Sequence, residues 1–262
     1  MFKNFIFIFP FALIPSYFFA FALDIPSLEA IVDKIVAADA EFSFSLIFNG
    51  FSLINGGRWY IAAISFVFMA IFTPLLLAFI EKHMRIGSRS FKGLLKRINY
   101  NFLSTFVFLV ISLAIYELWA LISSGLVFAA VLLFGGVARI VIVAVISLGM
   151  VLLLAYIFSL LWLWLPCLQI TGYNFGDALA FSSQIAGGKR GAIFLSLLIP
   201  YVAGAVLALA VVGICAAYDI IVPVFVFIEI IFILLFLYFC AHMYAVYFDA
   251  AGEEREDLKK RY

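Results

Sequence analysis

Three charged residues sit in or against stretches that are otherwise apolar: Glu117, Arg139 and Glu229. A charge in a membrane core costs at least about 2.5 kcal/mol, so such residues turn toward other helices and find partners. Glu117 lies about seven residues from the outer end of its apolar stretch, and Glu229 about eight residues into its own. Arg139 enters a third stretch from the same side. The spacing predicts an intramembrane charge cluster in which Arg139 approaches Glu117 or Glu229. It would act as an interhelical clamp. A proton or ion site is the functional alternative, and snorkelling without pairing is the third.

Little else in the chain suggests chemistry. There is no phosphate-binding glycine loop, no His-Glu-x-x-His motif and no Ser/His/Asp set, so no catalytic residues, no cofactor site and no metal site are expected. His83 and His242 both fall toward the expected cytoplasmic side. Cys167, Cys215 and Cys240 share no metal-ligand spacing and read as small apolar residues of helices, without a disulfide.

The elements that hold these residues follow from composition. Of 262 residues, 68% are hydrophobic and only 12% charged, with a mean hydropathy of +1.24. A soluble domain of this length needs more charge to coat its surface. The chain reads as an all-α polytopic transmembrane helix bundle of about six spans, a single integral membrane domain over residues 1–262. A span takes about 20 apolar residues. The spans are expected near 5–23, 59–80, 102–123, 140–165, 193–216 and 221–248. Lys3, the Phe-rich run and Ala20-Phe21-Ala22 also fit a cleaved signal peptide. The length of the run favours an uncleaved first span.

Lys and Arg set the orientation. With the N-terminus cytoplasmic, thirteen of the sixteen fall inside; Lys34, Arg58 and Arg139 do not. Both termini are therefore expected in the cytoplasm, in the cell membrane of a prokaryote. Gly125–Leu165, apolar apart from Arg139, is too long for one span and barely long enough for two, and Gly135-Gly136 and Arg139 break it, leaving Gly125–Ala138 before the fourth span. It is read as a short re-entrant or interfacial outer segment, two full spans being the alternative.

The outer segment 24–58 carries Leu28, Ile31, Val32 and Ile35 at helical spacing, with Glu29 and Asp33 opposite, which predicts an amphipathic surface helix. Phe44–Gly50 is followed at once by the similar Phe51–Gly56, each closing in Asn-Gly. That dipeptide signals a hairpin; an apolar surface loop is the alternative. On the cytoplasmic side, residues 81–101 form a basic segment. Ser90 could cap a helix with Phe91, Leu94, Leu95 and Ile98 on one face and Lys92, Lys96 and Arg97 on the other. Such a helix suits the membrane surface or a docking partner. A second short helix is expected from Asn174 or Asp177 to Ile185, ended by Gly187-Gly188. The two span–helix–span units suggest a parallel duplication. Span five, with Ala203, Gly204, Ala205, Ala208, Ala210 and Gly213, is expected to be the most buried helix. The charged tail 252–262 reads as a solvated helix end.

Leu163-Trp164-Leu165-Pro166, then Ala178–Ser183 with Gly187-Gly188-Lys189-Arg190, and Ala245-Val246-Tyr247-Phe248-Asp249 carry a resemblance. Over residues 60–250 the layout resembles six-span bacterial proteins of the YciC type and the membrane domains found beside some glycerophosphodiester phosphodiesterases. The resemblance implies the six-span architecture and no catalytic residues; the phosphodiesterase activity belongs to a soluble domain not represented here.

The functional expectation is a non-enzymatic membrane protein, a scaffold or subunit of a larger membrane complex. A permease-type transporter subunit coupled to a cytoplasmic partner and a lipid-handling membrane enzyme are the alternatives. The expected partners are membrane lipids and other membrane or cytoplasmic subunits, not nucleic acid.

Overall fold

A computed structural model describes residues 5–22, 30–31, 34, 42–54, 59–87, 93–217, 222–256 and 258. These residues form helices and no strand. In chain order the helices are α1 (Phe5–Ala22), α2 (Phe44–Phe51), α3 (Trp59–Ile86), α4 (Leu94–Leu133), α5 (Gly136–Leu161), α6 (Trp164–Thr171), α7 (Phe175–Ala186), α8 (Arg190–Ala217) and α9 (Val222–Ala251). Five stretches are long and apolar enough to cross a membrane: Trp59–Ile86, Asn101–Leu133, Gly136–Thr171, Arg190–Ala208 and Val226–Ala251. The chain is an all-α, multi-pass membrane protein. The 18-residue α1 packs along α3, where Phe11 meets Phe72.

One end of the bundle gathers the basic residues and is called the basic end here. Lys189 reaches Asp249 with an Nζ–Oδ2 distance of 2.6 Å, and the Glu256 N–H donates to the Met84 carbonyl at 2.9 Å. The main core lies toward this end. It joins residues 76–80 of α3, residues 162–168 around the α5–α6 join, and Cys240, Tyr244, Tyr247 and Phe248 of α9. Residues 164–168 are all buried, as expected of a helix enclosed on every side. Pro166 explains the break before α6. Its ring would clash with the carbonyl of residue 162, four positions earlier, and the turn falls at Trp162–Leu163.

Several expectations are corrected. Gly125–Ala138 is not a re-entrant segment. Helix α4 runs unbroken through Gly125 to Leu133, and a tight turn at Phe134–Gly135 starts α5, with Gly136 at φ +56°. The apolar surroundings offer freed backbone groups no water, so the helix continues until the glycine pair lets it turn. The Asn-Gly at 49–50 makes no hairpin. It closes the last turn of α2, which Ser43 opens by accepting the Leu46 N–H. Span five is not the most buried helix. Half of the apolar window of α3 is buried, against 17% for α8, because the core sits at the basic end and α8 leaves it after Ile193 and Leu197. The tail does not extend α9. Gly252, at φ +70°, ends the helix, and the Glu253 N–H returns to the Phe248 carbonyl at 3.0 Å. This is the Schellman arrangement.

The short helix expected from Asn174 or Asp177 to Ile185 is α7, with Asn174 as its N-cap residue and Asp177 in its first turn. Of the outer amphipathic segment, Leu28, Val32 and Ile35 lie outside the described residues, while Ile31 is helical and buried.

Candidate functional site

The polar geometry concentrates where α2 meets α4. The carboxylate of Glu117 accepts three hydrogen bonds. They come from Ser52 Oγ at 2.6 Å, Leu53 N at 2.9 Å and Ile54 N at 3.2 Å. One residue earlier, Tyr116 donates its hydroxyl to the Phe51 carbonyl at 2.9 Å. Two residues later, Trp119 packs edge-on against Phe51 and donates its indole N–H to the Met150 carbonyl at 2.7 Å. Three nearby side chains of α4 thus tie the end of α2 and the middle of α5 to one helix.

The chemistry follows from the helix end. Past its last turn, α2 leaves backbone groups without intrahelical partners. Phe48 O accepts from Ser52 N; Phe51 O goes to Tyr116, and the N–H groups of Leu53 and Ile54 go to Glu117. One carboxyl group thus takes up two backbone N–H groups and a hydroxyl at once. Glu117 is therefore a strap anchor. Beside the strapped loop, Leu53, Ile54, residues within 59–69 of α3 and Leu113 of α4 line a half-open apolar pocket of about 370 Å³.

The predicted charge cluster does not form. Arg139 donates from Nε to the Phe134 carbonyl at 3.0 Å, and its guanidinium lies 5.7 Å from the Phe42 ring centroid. It closes the α4–α5 turn. Glu117 meets the 52–54 loop instead, since backbone donors reach it before any cation does. Glu229, half-buried on α9, has its Oε1 buried without a hydrogen-bond partner. No ion pair joins these three residues.

A second polar cluster lies in the main core. Gln169 of α6 donates to Thr105 Oγ1 at 2.8 Å and accepts from the Tyr244 hydroxyl; Thr105 in turn donates to the Asn101 carbonyl at 2.8 Å. Trp162 donates its indole N–H to His242 Nδ1 at 3.1 Å. This network joins α4, α6 and α9 through satisfied partners and reads as a structural lock. Cys167 and Cys240 are free thiols buried in the same core.

Of the expected docking residues, Phe91 and Lys92 lie outside the described residues. Leu94, Leu95, Lys96, Arg97 and Ile98 begin α4 itself, which starts after Gly93 at φ +80° and continues straight into the span. They belong to no separate surface helix. Among the described residues no group of three or more His, Cys, Asp or Glu could hold a metal.

Sequence reasoning missed Ser52, Tyr116, Gln169, Thr105 and Tyr244. One signal was available: Tyr116, Glu117 and Trp119 place three hydrogen-bonding side chains within four residues of an apolar span. No protein-family model matches the chain, and neither curated proteins nor solved structures yield a match.

Proposed function

We propose that this protein is a non-enzymatic subunit or scaffold of a larger membrane assembly. The observation that carries the reading is α5. Its stretch, Gly136–Thr171, is the most apolar of the five, yet only 11% of its apolar window is buried within the chain. Val137, Val141, Val145, Leu148, Leu152 and Tyr156 form an exposed stripe along it. Gly149 lies beside that stripe, exposed, and a Cβ there would meet nothing within 4 Å. A mid-helix glycine costs about 1 kcal/mol relative to alanine. It brings no packing benefit inside this chain, but small residues let a neighbouring membrane helix approach closely. The setting we propose is the cytoplasmic membrane of a prokaryote, with both termini in the cytoplasm. The distribution of Lys and Arg supports that orientation.

The test is cross-linking in native membranes from single cysteines at Val145 and Gly149, in a background lacking Cys167, Cys215 and Cys240. A discrete cross-linked species, lost when Gly149→Leu is added to the Val145 cysteine, is the expected result. A smear of lipid-only adducts and a monomer in mild detergent would overturn the assembly reading.

A further inference from the structure

We infer that the hydrogen bond between Trp162 and His242 is a proton-sensitive latch: protonation of His242 opens it and loosens the turn between α5 and α6 from α9.

An indole N–H donates and cannot accept. Trp162 directs its N–H at His242 Nδ1, 3.1 Å away. Nδ1 therefore carries the lone pair, and the neutral ring holds its hydrogen on Nε2. A further proton can add only at Nδ1, the nitrogen that the indole already occupies. Both nitrogens of an imidazolium are donors, so the cation would set one N–H against another. The charged ring and the Trp162 bond exclude each other. The bond requires the neutral form, so its contribution is present at high pH and is lost as the pH falls.

The bond sits at a joint. Trp162 is the residue at which α5 ends and the chain turns into α6. Tyr238, Phe239 and His242 lie one turn apart and share a face of α9. The buried Trp162 ring packs on that face, edge-on to Phe239 with centroids 5.7 Å apart and tilted over His242 at 6.0 Å. Loss of the hydrogen bond thus acts on the contact that holds the turn to α9. The ring is also reachable. His242 is half-buried, and its Nε2, which makes no hydrogen bond among the described residues, is not sealed inside the protein. It lies about 10 Å along the helix from Asp249, whose exposed pair with Lys189 marks the basic end.

No carboxylate offsets the change. The titratable group that meets His242 is Tyr238, which stacks on the ring at 5.4 Å and donates its hydroxyl to the Ser196 carbonyl of α8. On the other elements packed against α9, Glu81 and Arg85 of α3 pair with each other, and Arg190 of α8 donates to the Ser183 carbonyl. Tyr17 of α1, Tyr156 of α5, Cys167 of α6 and Asp177 of α7 make no hydrogen bond or ion pair with His242. A proton on Nδ1 finds no acceptor among the described residues, and its effect falls on the Trp162 bond.

The experiment uses the full-length protein in nanodiscs of zwitterionic lipid, labelled with 5-fluorotryptophan and nitrogen-15 histidine. Resonances of Trp59, Trp119, Trp162 and Trp164 are assigned from single changes to Phe and followed by NMR from about pH 8 to about pH 5, the range in which histidine titrates. The Trp162 resonance is expected to move in one step while those of Trp59 and Trp119 stay fixed. The nitrogen-15 shifts of His242 should show a bare Nδ1 at high pH that gains its proton in the same step. Amide exchange at Cys167, which donates to the Leu163 carbonyl at 3.1 Å in the same turn, should rise about fivefold beyond its intrinsic pH dependence, the worth of one neutral hydrogen bond. His242→Gln offers an amide oxygen to the same indole N–H and takes up no proton, so both changes should vanish. A Trp162 resonance that stays fixed down to about pH 5, or that moves equally in His242→Gln, would overturn the latch. So would a hydrogen on Nδ1 at high pH. Trp119, bonded to the Met150 carbonyl, must keep its wild-type resonance in His242→Gln; if that variant fails to fold, the two titrations of the wild-type protein decide alone.

Discussion

Glu117 and Leu53 are 64 residues apart in the chain, and the backbone N–H of Leu53 donates to the Glu117 carboxylate at 2.9 Å. A carboxylate in an apolar helix is usually a cost. Here it gathers the Leu53 and Ile54 N–H groups and the Ser52 hydroxyl, and it fixes where residues 52–54 lie against the bundle.

Glu117→Ala should release that segment. It leaves the Ser52 hydroxyl and the Leu53 N–H without an acceptor, while the Ile54 N–H keeps Ser52 Oγ at 3.1 Å, for a loss of about 2–4 kcal/mol. Glu117→Gln keeps one carbonyl oxygen for the two N–H groups and should lose about 1 kcal/mol. Hydrogen exchange at residues 53 and 54, read beside thermal unfolding in detergent, checks the order Ala, then Gln, then wild type.

Tyr116→Phe removes only the hydroxyl that donates to Phe51 O. A neutral hydrogen bond contributes about 1 kcal/mol net. The same exchange measurement should show a partial loosening, smaller than for Glu117→Ala.

Gly204 lies against α9: a Cβ there would stand 2.9 Å from Leu235 Cδ1 and 3.3 Å from Ile231 Cγ2. Gly204→Ala should therefore destabilise the α8–α9 pair by about 1 kcal/mol through overpacking. The contact is with a flexible side-chain end, so Gly204→Ala combined with Leu235→Ala should cost less than the sum of the single changes. Thermal unfolding of the four proteins in the cycle decides it.

Gln169 links Thr105 and Tyr244, so Thr105→Val and Tyr244→Phe should interact. Each single variant leaves one hydrogen bond of Gln169 unmade in a closed core, for about 1–3 kcal/mol. A coupling energy outside experimental error in the double-mutant cycle is expected. By contrast, Lys189→Ala removes an exposed ion pair with Asp249, whose side chain is 73% exposed. It should change stability by less than about 1 kcal/mol.

The membrane helices were legible in the sequence because their lengths and apolar content are dictated by the bilayer. Their faces were not. In Asn101–Leu133 and Gly136–Thr171 nearly every position is apolar, so no periodicity distinguishes the side that meets a neighbour from the side that does not. That is why α8, rich in small residues, looked central and proved peripheral. Residues 44–51 misled for a different reason. Their Asn-Gly signal describes a turn in water, whereas this segment packs Ile47 against Val127, Ala130 and Val131 of α4 and closes its backbone bonds as a helix. The cluster of Glu117, Arg139 and Glu229 rested on matching charges at similar depth. Charge matching ignores backbone donors, and those claimed Glu117.

The uninterrupted course of α4 has a mechanical consequence. Its apolar part, Asn101–Leu133, is 33 residues long and rises about 50 Å, while the hydrocarbon layer of a bilayer is about 30 Å thick. The surplus must be taken up by tilting the α4–α5 pair or by stretching the lipid around it, at a cost of fractions of a kcal/mol for each ångström. A tilt, or a local thickening of the lipid, is thus written into the length of a single helix.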